Sequence, residues 1–217
     1  SSTKQRRFVA DASHELRTPL ARMRSELEVD RAHPETADAA ATANSVIEEV
    51  DRLQYLVDDL LMLARAESVP AAATVVDLAA LVAGETAGRG DGVAVTTEVG
   101  PSPVLGNQGQ LARMVRNLID NALRHAAATV HVASKRIGSQ VILTVTDDGP
   151  GIPADERDRV FDPFYRIDEA RTAAAGGTGL GLTIVREIVV AHSGSVEVDP
   201  GHRPGARLVV TRPAAGS

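Results

Sequence analysis

Phe8-Val9-Ala10-Asp11-Ala12-Ser13-His14-Glu15-Leu16-Arg17-Thr18-Pro19-Leu20 is the stretch on which the reading of this chain turns. Phe8, Ala12, Leu16, Leu20, Met23 and Leu27 recur at three- or four-residue steps, the spacing of one apolar helix face. His14 falls off that stripe, so a helix here turns it to solvent. Residues four apart share a helix face, so Thr18 addresses the same incoming group as His14. Glu15 points about 100° away around the helix, where its carboxylate flanks the imidazole and takes its second ring proton. An imidazole with the ordinary value of about 6.5 is mostly neutral at pH 7 and is a competent nucleophile. Pro19 removes one backbone donor inside the helical pattern and predicts a kink just past the histidine. A lone histidine, one of six in the chain, is more often solvated surface. Here the block around it carries the argument.

Outward from this block, residues 3–31 read as one helix. Pro34 disfavours helix at His33, and Thr36 or Asp38 can cap the next, which runs over about 37–67. Val46, Val50, Leu53, Val57, Leu60 and Ala64 are spaced as a heptad seam, and Leu56, Leu61 and Leu63 widen it. A two-helix hairpin cannot bury so broad a face alone, whereas pairing with a second copy into a four-helix bundle does. Ser68-Val-Pro70-Ala-Ala-Ala73 marks a boundary. The expected organisation is a hairpin over 1–68, a linker over 69–73 and a second domain over 74–217.

The 217 residues, 43% apolar and 24% charged, suit a soluble chain of one large or two small domains. A net charge of −6 argues against a nucleic-acid binder with a broad basic face. The absence of cysteine excludes disulfides and thiolate metal sites. No stretch reaches the roughly 20 apolar residues that span a bilayer. The chain opens on Ser-Ser, and the expectation is a fragment, with any membrane attachment in a missing upstream part.

From residue 74 onward strand and helix signals mix. Strands are expected at 75–77, 92–99, 104–105, 129–134 and 140–146, and a hairpin at 194–198 and 206–211. Helices are expected from Asp77 to near Gly88, over 108–125 and over 180–192. This predicts an α+β sandwich with helices on one face of a sheet. Four stretches of it carry chemistry. Asn117 and Asn121 share a helix face, and an amide oxygen is a neutral, hard ligand suited to Mg²⁺ already carrying triphosphate. Arg124 adds a fork that matches phosphate. In Asp147-Asp148-Gly149-Pro150-Gly151-Ile152 a strand ends in a carboxylate that can accept from an adenine amino group, with glycines that let backbone approach the base. Phe161-Asp-Pro-Phe164-Tyr165-Arg166 gathers three of the chain's five aromatics, an anchor for a mobile segment. Gly176-Gly177-Thr178-Gly179-Leu180-Gly181-Leu182 leads into a helix, and a Gly-rich turn at a helix N-terminus forms a phosphate cradle. It lacks the Gly-Lys-Ser/Thr ending of a P-loop. Taken singly, each has an ordinary explanation, a solvated helix side, a turn or a small core cluster, and only the first rises well above background.

Together the stretches carry a resemblance. His14-Glu-Leu-Arg-Thr-Pro-Leu20 resembles the phosphoacceptor box of sensor histidine kinases, and Arg52 to Arg65 resembles the second helix of their dimerisation hairpin. The four later stretches, in this order and spacing, resemble the N, G1, F and G2 boxes of the family's ATP-binding domain. That fold is shared with DNA gyrase, mismatch-repair ATPases and a large heat-shock chaperone. The implied fold is an all-α hairpin, a four-helix bundle on dimerisation, followed by an α+β sandwich of the histidine kinase/gyrase ATPase type. The resemblance implies autophosphorylation of His14 from ATP, with Glu15 as general base and Thr18 placing water for dephosphorylation of a partner. It implies Asn121 as the Mg²⁺ ligand supported by Asn117, Arg124 and His125 near the phosphates, and Asp147 reading adenine. Gly149, Gly151, Ile152, Phe161, Arg166, Gly177, Thr178, Gly179, Leu180, Gly181 and Leu182 complete the expected nucleotide site. Residues 153–177 resemble the ATP lid, expected to be mobile without nucleotide. Arg124 stands where lysine is frequent and Asp162 where glutamate is frequent, and both keep charge. The implied partners are a second copy of the chain and the receiver domain of a response regulator, and the implied setting is the cytoplasmic portion of a membrane-anchored protein. The competing readings are a dimeric scaffold that binds nucleotide without catalysis, and an ATPase with a glutamate base in the Asn helix. That helix carries Gln110 and Asp120 but no glutamate.

Overall fold

A computed structural model describes residues 2–64, 73–90, 92–167 and 178–216, the side chains of 2–7 and 64 excepted. The chain divides into two compact units, Ser1–Arg65 and Ala66–Ser217. Of the expected linker only Ala73 lies among the described residues, and most of the expected lid's second half, residues 168–177, lies outside them.

The first unit is a helical hairpin of α1 (Ser2–Ala32) and α2 (Ala39–Ala64), with Pro19 inside α1. The chain turns at Pro34, and Asp38 caps α2 by accepting the N–H groups of Ala40 and Ala41 (3.2 and 3.0 Å). The buried seam differs from the apolar periodicity. Ala12, Pro19 and Met23 of α1 and Leu56 of α2 are buried. Leu20 and Leu27, expected on the buried stripe, are 54% and 52% exposed. The reason is chemical: near the turn the seam is polar, so counting apolar residues misses it. Thr42 Oγ1 donates to the Asp30 carboxylate and Ser45 Oγ to that of Glu26 (2.8 Å). Leu20 and Leu27 therefore fall on a neighbouring face with Val9. On α2 a second row, Ile47, Val50, Val57 and Leu61, stays exposed at heptad spacing. No helix among the described residues is long and apolar enough to cross a membrane.

The second unit runs β1 (Thr74–Asp77), α3 (Leu78–Thr86), β2 (Ala94–Val99), β3 (Pro103–Gly106), α4 (Gln108–His125), β4 (Thr129–Ile137) and β5 (Gln140–Asp147). A short 3-10 turn (Arg159–Phe161), α5 (Gly181–Ala191), β6 (Ser195–Val198) and β7 (Arg207–Pro213) complete it. β1 and β3 form a small antiparallel pair. The main sheet has the order β2-β4-β5-β7-β6, parallel only between β2 and β4. Alternate residues of β5 are buried, so one face of the sheet meets the helices and the other is half-exposed. Val132, Val145 and Leu208 stand side by side in register on the buried face. Against them α4 turns Leu111, Met114, Val115, Leu118, Ile119 and Ala122, and α5 turns Ile184, Val185, Ile188 and Val189, all buried. Each such large aliphatic side chain contributes about 1.5–3 kcal/mol on burial. With aromatics scarce, these aliphatics make the core.

Two side chains fix how the helices enter this layer. Asp77 caps α3 through the Ala79 N–H (3.1 Å) and also accepts the Ser102 N–H (2.9 Å), tying the start of α3 to the approach to β3. Asn107 caps α4 by accepting the Gln110 N–H (3.0 Å). Arg116 then grips Glu85 of α3 with a two-pronged fork (3.0 and 2.9 Å).

Candidate functional site

On α1, His14 is exposed, as its position off the apolar stripe requires. Thr18 is exposed too, and its hydroxyl donates to the His14 carbonyl oxygen (3.2 Å), back across one helical turn. Glu15 is half-buried on the adjoining face, and among the described residues no ion pair joins it to His14.

In the second unit the other predicted residues converge from four elements. The carboxyl end of β5 presents Asp147, 5% exposed. Its Oδ1 accepts two backbone N–H groups, from Gly149 (2.9 Å) and Ala206 (3.3 Å). No hydrogen bond to its Oδ2 is formed among the described residues, so one oxygen is held and the other remains an acceptor. The last turn of α4 brings Arg124 and His125 beside this point. His125 keeps much of its surface exposed, yet burial holds its imidazole below the ordinary value; Arg124 adds to this and Asp147 opposes it. Cationic side chains in that turn also complement the negative end of the helix.

One turn and two turns back along α4, Asn121 and Asn117 are half-buried on the flank that avoids the core. Asn117 lies beside the start of α5: a Cβ added to Gly181 would be 3.9 Å from its Cγ. The Asn117 amide has one buried end, Nδ2, with no hydrogen-bond partner. Amide oxygen and nitrogen are assigned from such bonds and are otherwise interchangeable. An orphaned amide here, with a second Asn one turn on, fits the hard oxygen ligation expected for Mg²⁺. The first internal bond of α5 runs from the Ile184 N–H to the Leu180 carbonyl (2.9 Å), so the N–H groups of Gly181, Leu182 and Thr183 precede any intrahelical acceptor. Thr178 Oγ1 accepts from the Leu180 N–H (3.4 Å). These are the elements of an anion cradle. Gly177 lies outside the described residues.

The apolar members serve as floor and anchor. Ile152, Leu180 and Leu182 are buried. Phe161, in the 3-10 turn, is 5% exposed and packs into the core, so it secures the segment that follows. The Phe164 N–H reaches the Gly179 carbonyl (3.0 Å), which ties the F-like stretch to the Gly-rich turn. Arg166 is half-buried, with its Nη2 enclosed and unpartnered.

Three participants were not legible in the sequence. The Gly205-Ala206 turn lies 59 residues from Asp147 along the chain, yet a Cβ on Gly205 would fall 1.8 Å from the Asp147 carbonyl oxygen. Thr183, 2% exposed, has an unpartnered hydroxyl in the first turn of α5. Asp148, adjacent to Asp147, accepts from Ala127, Ala128 and Thr129 through one oxygen. Only Asp148 carried a signal, a second carboxylate before the glycine, and that also spells an ordinary turn.

Comparison with known proteins agrees with this geometry. Residues 106–216 match the family described as histidine kinase-, DNA gyrase B-, and HSP90-like ATPase, and residues 4–69 match the His Kinase A (phospho-acceptor) domain. The sensor histidine kinase CpxA of Escherichia coli is 33% identical over 97% of this chain and 47% of its own. The probable sensor histidine kinase TcrY of Mycobacterium tuberculosis is 40% identical over 93% of this chain and 45% of its own. The chain thus spans about half the length of the curated relatives it matches. Among solved structures, the mycobacterial sensor histidine kinase MprB superposes with a TM-score of 0.58 at 31% identity, covering 65% of this chain and 97% of that one. The Acinetobacter baumannii histidine kinase AdeS superposes with a TM-score of 0.76 over 93% of this chain and 98% of that one; at 24% identity it speaks for the fold alone.

Proposed function

The chain belongs to the histidine kinases of this ATPase family, with the phospho-acceptor hairpin ahead of the ATPase-type domain, and from that premise we propose that it phosphorylates itself on His14 from ATP. The phosphoryl group then passes to an aspartate on the receiver domain of a response regulator. The observation that carries the reading is Asp147, a buried carboxylate with one oxygen held by two backbone N–H groups and the other left to accept. Such an acceptor suits the exocyclic amine of adenine, and it belongs to the same chain as an exposed histidine preceding a carboxylate.

In this reading Asp147 takes the base, with Gly149, Gly151 and Ile152 lining its approach. The leading N–H groups of α5, with Gly177, Thr178, Gly179, Leu180, Gly181 and Leu182, receive the phosphates, and Arg124, His125 and Arg166 lie near them. Phe161 anchors the segment that follows it. Asn121, supported by Asn117, would hold Mg²⁺, which when bound neutralises charge on the triphosphate. Phosphoryl transfer depends on positioning and charge neutralisation more than on covalent help. A neutral imidazole nitrogen of His14 forms the P–N bond as the bond from the γ-phosphorus to the bridging oxygen breaks and ADP leaves. The ring proton goes to Glu15. Thr18, on the same helix flank, orients water when the partner's acyl phosphate is hydrolysed, giving the protein phosphatase activity as well. A second copy of the chain pairs through the hairpin, and attachment to a membrane belongs to segments beyond this chain.

The test is incubation with Mg²⁺ and γ-labelled ATP. Wild-type chain is expected to take up acid-labile, base-stable label. His14→Gln should lose the label while still binding ATP, and Asn121→Ala should lose both. Label persisting in His14→Gln overturns the assignment. Nucleotide binding with no label in the wild type points instead to a non-catalytic scaffold.

A further inference from the structure

We propose that Asp148 is a positioning residue that locks the α4 end of the nucleotide site to its β5 end. The proposal rests on the nucleotide-binding reading above and assigns a part to a side chain that does not itself contact the ligand. Asp148 Oδ1 accepts the backbone N–H groups of Ala127 (2.8 Å), Ala128 (3.0 Å) and Thr129 (3.0 Å). Three consecutive N–H groups converging on one oxygen make an anion-binding concavity, here filled by the chain's own carboxylate. The Asp148 N–H also donates to the Thr129 carbonyl (3.3 Å), so side chain and backbone grip the same residue. The bonds from Ala128 and Thr129, ahead of any cost of desolvation, hold the Asp148 carboxyl down to about 2, so the clamp is charged throughout the physiological range.

What the clamp joins gives it a role. Residues 126–128 are the only covalent link between the end of α4 at His125 and the start of β4 at Thr129. Ala127, Ala128 and Thr129 are exposed, and without the Asp148 carboxylate their N–H groups turn to water, leaving the link held only by the Ala126 N–H to Ala122, the Ala128 carbonyl to the Ala94 N–H and the Thr129 carbonyl to the Asp148 N–H. On the other side, the three residues 147–149 divide the work. Asp147 takes the base, Asp148 holds the link, and Gly149 lies so close to α4 that a Cβ would sit 2.1 Å from the His125 carbonyl oxygen. Arg124, His125 and Asn121, the phosphate and metal side, are thereby set at a fixed distance from Asp147, the base side. A ligand that bridges both sides feels this distance. One that occupies only the base side does not.

The experiment follows from that difference. Calorimetric affinities for adenosine and for Mg²⁺·ATP are compared in wild type, Asp148→Ala and Asp148→Asn. Asp148→Ala is expected to bind adenosine within about twofold of wild type while its affinity for Mg²⁺·ATP falls about ten- to a hundredfold, the penalty of a misplaced contact of order 1 Å. Asp148→Asn keeps an acceptor oxygen and should recover most of the loss, and formate, which fits the vacated concavity, should recover part of it in Asp148→Ala. Hydrogen exchange at the amides of Ala127, Ala128 and Thr129 should quicken in Asp148→Ala alone. An equal loss of both ligands means that Asp148 is merely structural, and no loss means that the link needs no clamp; either overturns the proposal. If Asp148→Ala does not fold, Asp148→Ser, which lacks the carboxylate and is shorter, is measured in its place, with the same selective loss of Mg²⁺·ATP affinity expected and the same two outcomes overturning the proposal. Wild-type chain that binds neither ligand defeats the nucleotide reading itself, and is told apart by that.

Discussion

Gly149 has no room for a side chain. A Cβ there would lie 2.1 Å from the His125 carbonyl oxygen and 2.9 Å from Asp147 Oδ1, and neither neighbour is the free end of a flexible side chain. Gly149→Ala must push the turn off α4 and lengthen the Gly149 N–H bond that holds Asp147 Oδ1. We expect a stability loss of about 1–3 kcal/mol, typical of overpacking, and at least a tenfold weaker affinity for adenosine, on the order of 1.4 kcal/mol. Denaturant unfolding and calorimetry would measure the two; adenosine affinity unchanged in a folded variant would mean that Asp147 is not held as described. At this scale the sequence was informative where a residue's role depends on near neighbours. The exposure of His14, the start of α3 at Asp77 and the shared face of Asn117 and Asn121 on α4 all follow from local pattern. Gly205, Ala206 and Thr183 were not visible, because their partners come from elements far apart in sequence and no local spacing encodes them.

Between elements, the structure shows a second contact that local pattern hides, at the end of α5. His192 Nε2 accepts the N–H of Asn107, the cap of α4 (3.1 Å), and its other ring nitrogen meets the Ile188 carbonyl oxygen (2.7 Å). A backbone N–H can only donate, so Nε2 is bare and the proton is on Nδ1. Burial lowers the His192 pKa from its ordinary value and the Arg212 guanidinium adds to this, while the bond to Ile188 opposes it. Arg212 itself is buried, donates to the carbonyls of His192 (3.0 Å) and Leu105 (2.8 Å), and is held down to about 10 by desolvation. As pH falls, the unfolded chain therefore takes up a proton on this histidine before the folded chain does. The stability it contributes is fully present above the unfolded value of about 6.5 and is lost as pH falls below that, toward the lowered folded value. His125, lowered chiefly by burial, feeds the same window. Asp148 acts lower: its share is present above the unfolded value of 3.8 and is lost as pH falls toward about 2. The protection of the Asn107 amide against hydrogen exchange should thus fall as pH drops below about 6.5. His192→Gln should flatten that fall and leave the His125 share. A protection factor constant over this range would exclude His192 as the latch. The elements themselves were largely legible, α4 to the residue, since long amphipathic runs and β-branched alternation are local signals. The parallel pairing of β2 with β4 was not, because strand order is decided by which faces the helices must cover.

For the whole molecule, the two units pose different stability problems. The ATPase-type unit closes its own core between sheet and helices, whereas the hairpin leaves an apolar surface uncovered. Val9, Leu20 and Leu27 on α1, with Ile47, Val50, Val57 and Leu61 on α2, are each at least 40% exposed. Periodicity foresaw a face too broad for one hairpin, but it assigned the rows differently, because the polar pairs Thr42–Asp30 and Ser45–Glu26 occupy seam positions that an apolar count passes over. Those pairs fix which row faces inward, and the remaining row is the surface we propose a second copy covers in a four-helix bundle. Val57→Glu with Leu61→Glu places two charges in that row at heptad spacing, where burial without partners is prohibitive. The expected outcome is a sedimentation coefficient that shifts from dimer to monomer. Affinity for Mg²⁺·ATP should stay within about twofold, since the substitutions fall in the other compact unit from the nucleotide site and sites without shared partners act independently. A variant that still sediments as a dimer would mean that the copies meet through another surface, and one that loses nucleotide affinity would mean that the second unit depends on the bundle. The first result would reassign the exposed row, and the second would remove the independence of the two units on which the ligand-affinity tests above rely.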